Sequence, residues 1–315
     1  MKGDPTFEDV LAAAERIHGH VHRTPVMTSR EIDRIAGGRL CFKCENLQKV
    51  GAFKARGATN AVLLLDEKSA ARGVATHSSG NHAAALAYAA SLRGVPAHVV
   101  MPSSAPPVKK AAVAGYGALI TECEPTLEAR ENTLEEVVAR TGATFIHAYD
   151  NPMVIAGQGT ASLELITDAP DLDFILAPVG GGGLMSGTAI AVSSSRPDIA
   201  IWGCEPAGAD DAYRSLRDRT RYPSVEPKTI ADGLLTSLSE RTFRILSENL
   251  EGILTVGEES IIHAMRLLWE RMKLVVEPSG AVPLAAVLEH PGRFTDRRVG
   301  LIVSGGNVDL DRLPW

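Results

Sequence analysis

The chain has 315 residues, room for about two domains of ~150 residues each, and 45% of them are hydrophobic, an ordinary core-forming fraction. A net charge of −6 with no basic run argues against a nucleic-acid surface. No apolar stretch approaches the ~18 residues of a membrane span, and Met1–Pro5 carries no apolar signal region, so a cytoplasmic protein is expected.

Residues 7 to 17 read as a helix that gives way to Arg23-Thr24-Pro25, where Pro25 biases Thr24 toward extended backbone. The intervening His18, His20 and His22 resemble a metal comb, but no carboxylate cluster adjoins them, and histidines beside a helix C-terminus are the simpler account. Leu40–Cys44 reads as a strand. Cys41 and Cys44, three apart, then point to opposite faces. With no second CxxC to complete a zinc site, they are read as small hydrophobes.

Lys54 follows, in Gly51-Ala52-Phe53-Lys54-Ala55-Arg56-Gly57. A lysine set between Phe53 and small residues is poorly solvated. Desolvation disfavours the ammonium and lowers its pKa, which makes the amine a nucleophile toward aldehydes, pyridoxal phosphate among them. The alternative is a surface lysine at a helix start, like Lys49.

Strand-like and helix-like segments then alternate: strand Val74–His77, helix Asn81–Leu92, strand Ala97–Met101, helix Pro107–Ala114, strand Ala118–Glu122, helix Leu127–Arg140, strand Thr144–His147, strand Phe174–Val179, helix Leu184–Val192, strand Ala200–Cys204 and, last, strand Val299–Val303. This is the pattern of βαβ units and a parallel sheet, whose ligands bind at the C-terminal ends of the strands. Four turns stand at such ends: Ser78-Ser79-Gly80-Asn81-His82, Gly180-Gly181-Gly182-Gly183, Glu205 through Asp211, and Ser304-Gly305-Gly306-Asn307.

Four consecutive glycines at a helix start leave backbone N–H groups open as an anion cradle, with phosphate the natural guest. A tight turn with positive φ would need only one of them. A nicotinamide dinucleotide fold is the main rival: Phe174 to Glu205 runs strand, glycine loop, helix, strand and acid. Its G-x-G-x-x-G spacing fails, because glycine would be needed at Met185 or Ser186, and Gly187 comes one place late. A phosphate cradle plus a Schiff-base lysine points instead to pyridoxal phosphate. Phe53 offers a packing surface for its ring, Asn81 a donor for its phenolic oxygen, and Ser304 a partner for its ring nitrogen.

With these residues placed, the sequence resembles the fold-type II pyridoxal-phosphate enzymes, and within them the serine racemase and serine/threonine dehydratase branch. The stretches that carry the resemblance are Lys43–Gln48, Gly51–Ala58, Ser78–His82, Val154–Thr160, Pro178–Gly183, Ala231-Asp232-Gly233, Trp269–Leu274, Glu277-Pro278 and Ser304–Asp309. They run in order over nearly the whole chain. The resemblance implies a two-domain α/β fold of the tryptophan synthase β type, with parallel sheets flanked by helices. Residues 1–72 and 150–315 would form the large cofactor domain, and 73–149 a small domain that closes on substrate.

By the same resemblance, Lys54 carries the Schiff base, Gly180, Gly181, Gly182 and Gly183 bind the phosphate, Asn81 meets the phenolic oxygen and Ser304 the ring nitrogen. Ser79 is a second base candidate opposite Lys54, although Ser78 or Ser79 would equally serve as N-cap of the Asn81 helix. Ser78, Ser79, Asn81, Arg130 and Thr236 form the implied substrate set, with Arg130 suited to a β-carboxylate. Glu205, the Ala209 carbonyl and Asp211 match a divalent-cation site for Mg²⁺, Ca²⁺ or Mn²⁺. Tyr149 stands where mammalian-type racemases have asparagine, and Thr236 where they have serine. The expected activity is a dehydratase (ammonia-lyase) of L-serine, L-threonine or 3-hydroxyaspartate in a homodimer. The alternative is a racemase using Lys54 and Ser79, and the remote one a nicotinamide dehydrogenase or nucleotide-binding module.

Overall fold

Local sequence signals set many element ends. Thr6 and Asp9 form a capping box that starts the helix Phe7–Ile17. Gly94 and Gly142, at φ 69° and 70°, end the helices Asn81–Arg93 and Leu127–Thr141 in the left-handed region that side chains resist. These details come from a computed structural model, which describes residues 3–315; Met1 and Lys2, part of the stretch read for a signal region, lie outside the described residues.

Ten strands follow in chain order: β1 Val26–Met27, β2 Arg39–Cys44, β3 Val74–His77, β4 Ala97–Pro102, β5 Leu119–Cys123, β6 Thr144–Phe145, β7 Phe174–Pro178, β8 Ala200–Pro206, β9 Gly252–Val256 and β10 Arg298–Val303. They make a six-stranded sheet in the order β1-β2-β10-β7-β8-β9 and a four-stranded sheet in the order β5-β4-β3-β6. Every pairing is parallel except β1 with β2. The register sets Val303 beside Cys44 and Pro178 beside Cys204, so the segments at Glu45, Gly180, Glu205 and Ser304 emerge from one end of the larger sheet.

Three helices bring two of those segments together. Helix Pro152–Asp168 packs between helix Lys54–Leu63 and helix Gly183–Ser195. A Cβ on Gly157 would lie 2.6 Å from the Gly57 Cα, and one on Gly187 would lie 2.4 Å from the Ile155 carbonyl oxygen. Backbone-to-backbone contact therefore sets the distance between the helix that starts at Lys54 and the helix that starts at the glycine loop. The helix Asn81–Arg93 uses alanine in the same way. Ala83, Ala85, Ala87, Ala89 and Ala90 are buried against Ala58, Ala61, Val74 and Val99.

A buried ion network anchors the Lys54 helix. Arg56 and Glu45 are fully buried, with Nε to Oε2 at 2.7 Å and NH2 to Oε1 at 2.8 Å. Glu164 bridges Arg56 to the buried Lys43, which it meets at 2.6 Å. Such a network owes its stability to every member being paired, since an unpaired buried charge is costly. No helix among the described residues is long and apolar enough to cross a membrane.

Candidate active site

A cavity of about 560 Å³ lies at the C-terminal ends of the strands, walled by residues of both sheets. A more open cleft of about 770 Å³ lies at the opposite ends of β2 and β10, among Arg30, Asp33, Arg39, Asp173 and Arg298. Acids and bases line that cleft, Arg298 pairing with Asp171, and none of the sequence candidates does. The chemistry therefore gathers in the smaller cavity.

Lys54 opens its helix and lines that cavity. Its Nζ donates to the Ala148 carbonyl at 2.8 Å and sits 5.1 Å from the Phe53 ring centroid. Burial pulls its pKa down to about 8. The Phe53 N–H donates to the Ser304 carbonyl at 3.0 Å, which ties the lysine segment to the end of β10. Ser304 is buried, and it lines the same cavity as Phe53.

The glycine loop is more crowded than its sequence suggests. Gly182 alone has the positive φ, 82°. The expectation that the other glycines are surplus to the turn needs correction. A Cβ on Gly181 would come within 2.3 Å of Tyr149 Cδ1, one on Gly183 within 2.8 Å of Tyr149 Cβ, and one on Gly180 within 3.0 Å of Leu234 Cα. Tyr149 packs on the loop, so packing also demands glycine. The N–H groups of Gly181, Gly182 and Gly183 have no acceptor among the described residues, and they still form an anion cradle at a helix start.

Asn81 is the first residue of its helix. Its Nδ2 donates to Glu277 Oε1 at 2.9 Å, and its Oδ1 accepts from Asn307 Nδ2 at 2.9 Å. The Asn307 N–H closes the ring on Glu277 Oε2 at 3.2 Å. One amide proton of Asn81 is left for a ligand. Burial, with Asp232 adding to it, pushes the Glu277 carboxyl up to about 8. The capping role for Ser78 or Ser79 is not what the structure shows. Gly80 is the N-cap and no side chain caps it, while Ser78 Oγ accepts from the Gly80 N–H at 3.3 Å. Ser79 lines the cavity without a hydrogen-bond partner among the described residues.

Arg130 reaches the cavity from the helix Leu127–Thr141. The one hydrogen bond of its side chain, among the described residues, runs from Nε to the Thr126 carbonyl at 3.3 Å, and no acid pairs with it. Thr236 and Ser237 also line the cavity, and Lys109 pairs with Asp232 at the rim at 2.8 Å.

Two histidines escaped the sequence reading. His147 Nδ1 accepts from the N–H groups of Tyr149, at 3.3 Å, and Asp150, at 2.9 Å, so its proton resides on Nε2. The ring packs edge-on against Phe145 and Tyr149, and burial lowers its pKa to about 4. His82 faces the Ile146 carbonyl through Nε2 at 3.0 Å, which assigns the proton to Nε2 and leaves the buried Nδ1 without a partner. Burial, then the nearby Lys54 charge, bring its pKa to about 3. Both imidazoles stay neutral at ordinary pH.

Glu205, near the end of β8, is fully buried and accepts from the N–H groups of Ala212 at 3.1 Å and Tyr213 at 2.8 Å. Asp211 is 1% exposed and neither carboxylate oxygen has a hydrogen-bond partner among the described residues. Burial pushes Asp211 up to about 6 and Glu205 well above its ordinary value. Among the described residues no three His, Cys, Asp or Glu side chains gather as a metal cluster. The sequence candidates here are two carboxylates and the Ala209 carbonyl, oxygen donors of the type a hard cation takes.

The family model for pyridoxal-phosphate dependent enzymes matches residues 17–305. The chain belongs to that family. The nicotinamide and nucleotide-module alternatives fall with this match, and the fold is the α/β architecture of parallel sheets flanked by helices that the motifs implied. This pyridoxal-phosphate enzyme is 52% identical over 311 residues to the beta-hydroxyaspartate dehydratase of Paracoccus denitrificans, covering 99% of each chain. It is 50% identical to the serine racemase of Dictyostelium discoideum, over 98% of this chain and 96% of that one. The crystal structure of that racemase superimposes with a TM-score of 0.94, covering 97% of this chain and 99% of the other. The L-threo-3-hydroxyaspartate ammonia-lyase of Saccharomyces cerevisiae is 46% identical, over 98% and 95% of the two chains. The cavity suits the family's cofactor: it has an open anion cradle, a half-buried lysine of lowered pKa, an amide with one free proton and a buried serine.

Proposed function

We propose that the chain is a pyridoxal-phosphate dependent dehydratase of β-hydroxy amino acids, with 3-hydroxyaspartate as its preferred substrate, eliminating water to give an imine that hydrolyses to a 2-oxo acid and ammonia. The observation that carries this reading is Arg130. A guanidinium at the cavity wall with no acid partner is free to take a β-carboxylate in a bidentate pair, which serine and threonine lack. The names of the dehydratase and ammonia-lyase relatives support the same substrate class.

Pyridoxal phosphate, when bound, supplies the aldehyde that takes the substrate amine and the electron sink for Cα. The chain's own groups do the rest. The glycine cradle would receive the phosphate, Phe53 would pack against the ring, Asn81 would offer its free amide proton to the phenolic oxygen, and Ser304 would serve the ring nitrogen. A hydroxyl does not hold a protonated ring nitrogen as a carboxylate would, which moderates the sink and favours elimination. Lys54 Nζ, its pKa brought down to about 8 by burial, removes the Cα proton in its neutral form. Ser78, Ser79, Asn81 and Thr236, which line the cavity, would contact the substrate. In this reading residues 73–149 form the closing domain over the large domain of 1–72 and 150–315.

Glu205, Ala209 and Asp211 hold Mg²⁺, Ca²⁺ or Mn²⁺, the bare oxygens of Asp211 being the supporting observation. A cytoplasmic homodimer completes the reading. Racemisation is the second reading, and the unpartnered Ser79 hydroxyl favours it, since it would return a proton to the other face of Cα.

The Arg130→Ala variant tests the substrate assignment. Its kcat/KM should fall by about a hundredfold or more for 3-hydroxyaspartate, and change little for L-serine. Equal losses on both substrates would remove Arg130 from the β-carboxylate role.

A further inference from the structure

The segment from His147 to Asp150 touches the active site three times. The Ala148 carbonyl takes the Lys54 Nζ hydrogen bond at 2.8 Å, Tyr149 packs on Gly181 and Gly183, and His147 lines the cavity. The segment belongs to no regular element and lies between β6 and the helix Pro152–Asp168. No ladder of sheet or helix bonds sets its shape, so side-chain contacts carry that task.

Two such contacts meet at Asp150. From inside the segment, its N–H joins that of Tyr149 on His147 Nδ1. From outside, Arg241 NH1 donates to Asp150 Oδ1 in a half-buried ion pair. Arg241 stands in the first turn of the helix Glu240–Asn249. Its neighbour Thr242 packs on the same glycine loop as Tyr149: a Cβ on Gly182 would lie 2.8 Å from Thr242 Cβ. Arg241 is itself held in place. Its Nε lies 3.3 Å from Asp4 Oδ1, and Arg244, three residues on, takes the two Asp4 oxygens at 2.7 and 2.6 Å. A guanidinium anchored in this way gives up less freedom when it grips Asp150.

We propose that Arg241 is a positioning residue of the active site, whose pair with Asp150 fixes the His147–Asp150 segment and through it the glycine cradle and the His147 tautomer. One helix then holds the loop twice, directly through Thr242 and indirectly through Asp150 and Tyr149. Without the guanidinium, Asp150 is free to swing out. Its N–H then leaves His147 Nδ1, and Tyr149 loosens on Gly181 and Gly183. The cradle keeps all its N–H groups but no longer holds them at one spacing.

The test titrates pyridoxal phosphate into the full-chain apoprotein and records nitrogen-15 histidine spectra of the holoenzyme. Arg241→Ala should bind the cofactor about fivefold more weakly, the worth of one half-exposed ion pair. Its His147 signals should show a second, Nδ1-protonated tautomer, which a mere loss of global stability would not produce. Asp150→Ala should match it in both readouts, and the double variant should lose no more than either single one. Arg241→Lys keeps a cation for the single Asp150 contact and should recover most of the affinity. Arg244→Ala, on the same helix but paired with Asp4, should bind the cofactor as wild type does. If Arg241→Ala does not fold, Asp150→Ala carries the test from the other side of the pair. Wild-type affinity and a single His147 tautomer in the Arg241 or Asp150 variant would overturn the proposal. So would additive losses in the double variant, or a loss in Arg244→Ala equal to that in Arg241→Ala, since the helix would then act as a whole and the Asp150 contact would have no part of its own.

Discussion

Asn81 Nδ2 and Glu277 Oε1 meet at 2.9 Å across 196 residues of chain, and Asn307 bonds to both. The Asn81 amide is thereby oriented before any ligand arrives, with one proton in reserve. The carboxyl that orients it is deeply buried and sits at about 8 instead of 4.5.

That raised value makes stability depend on pH. Between 4.5 and about 8 the folded protein keeps the Glu277 proton and the unfolded chain has lost it. The contribution is complete below 4.5 and is lost as pH rises through about 8. Glu277→Gln should remove this slope. Urea midpoints of the apoprotein, compared at pH 5 and pH 8, should fall more for wild type than for the variant. Parallel curves would mean that Glu277 is ionised in the folded state throughout.

Tyr149 and the glycine loop are fitted to one another. Gly181→Ala should weaken cofactor binding by about tenfold or more, because the new methyl meets the Tyr149 ring and the loop must shift. Adding Tyr149→Ala should recover much of the loss. Cofactor dissociation constants for the two single variants and the double variant give the coupling. Simple additivity would show that the clash is relieved elsewhere.

His147 is a fixed donor. Nitrogen-15 spectra should show the Nε2-protonated tautomer with no titration between pH 5 and pH 8, because two backbone N–H groups occupy Nδ1 and burial holds the pKa at about 4. His147→Asn, whose side-chain oxygen can replace Nδ1, should keep more activity than His147→Leu. A titration near the ordinary histidine value would overturn the assignment.

Much of the cavity was legible in the sequence because its parts sit where strands end. Lys54, the Gly180 loop, the Asn81 turn and Ser304 each follow an apolar run or open a helix, and parallel-sheet geometry gathers such segments at one edge. What escaped depends on partners distant in sequence. Glu277 gave no signal except an acid before Pro278, since its buried partners Asn81 and Asn307 lie far along the chain. His147 was read as the end of a strand. That strand stops at Phe145, which frees the imidazole to turn back onto the backbone of Tyr149 and Asp150. The two-residue β1 is too short for any periodicity to betray it. The packing role of Gly181 required the position of Tyr149, which no local pattern supplies.

The most direct measurement is a product assay on purified holoenzyme with L-serine, L-threonine and the isomers of 3-hydroxyaspartate. It scores ammonia and 2-oxo acid against D-amino acid, with Lys54→Ala as the control. The account predicts ammonia release that is fastest with a 3-hydroxyaspartate isomer, little D-amino acid, and no turnover by Lys54→Ala. D-serine or D-aspartate as the main product, with ammonia at background for every substrate, would contradict it.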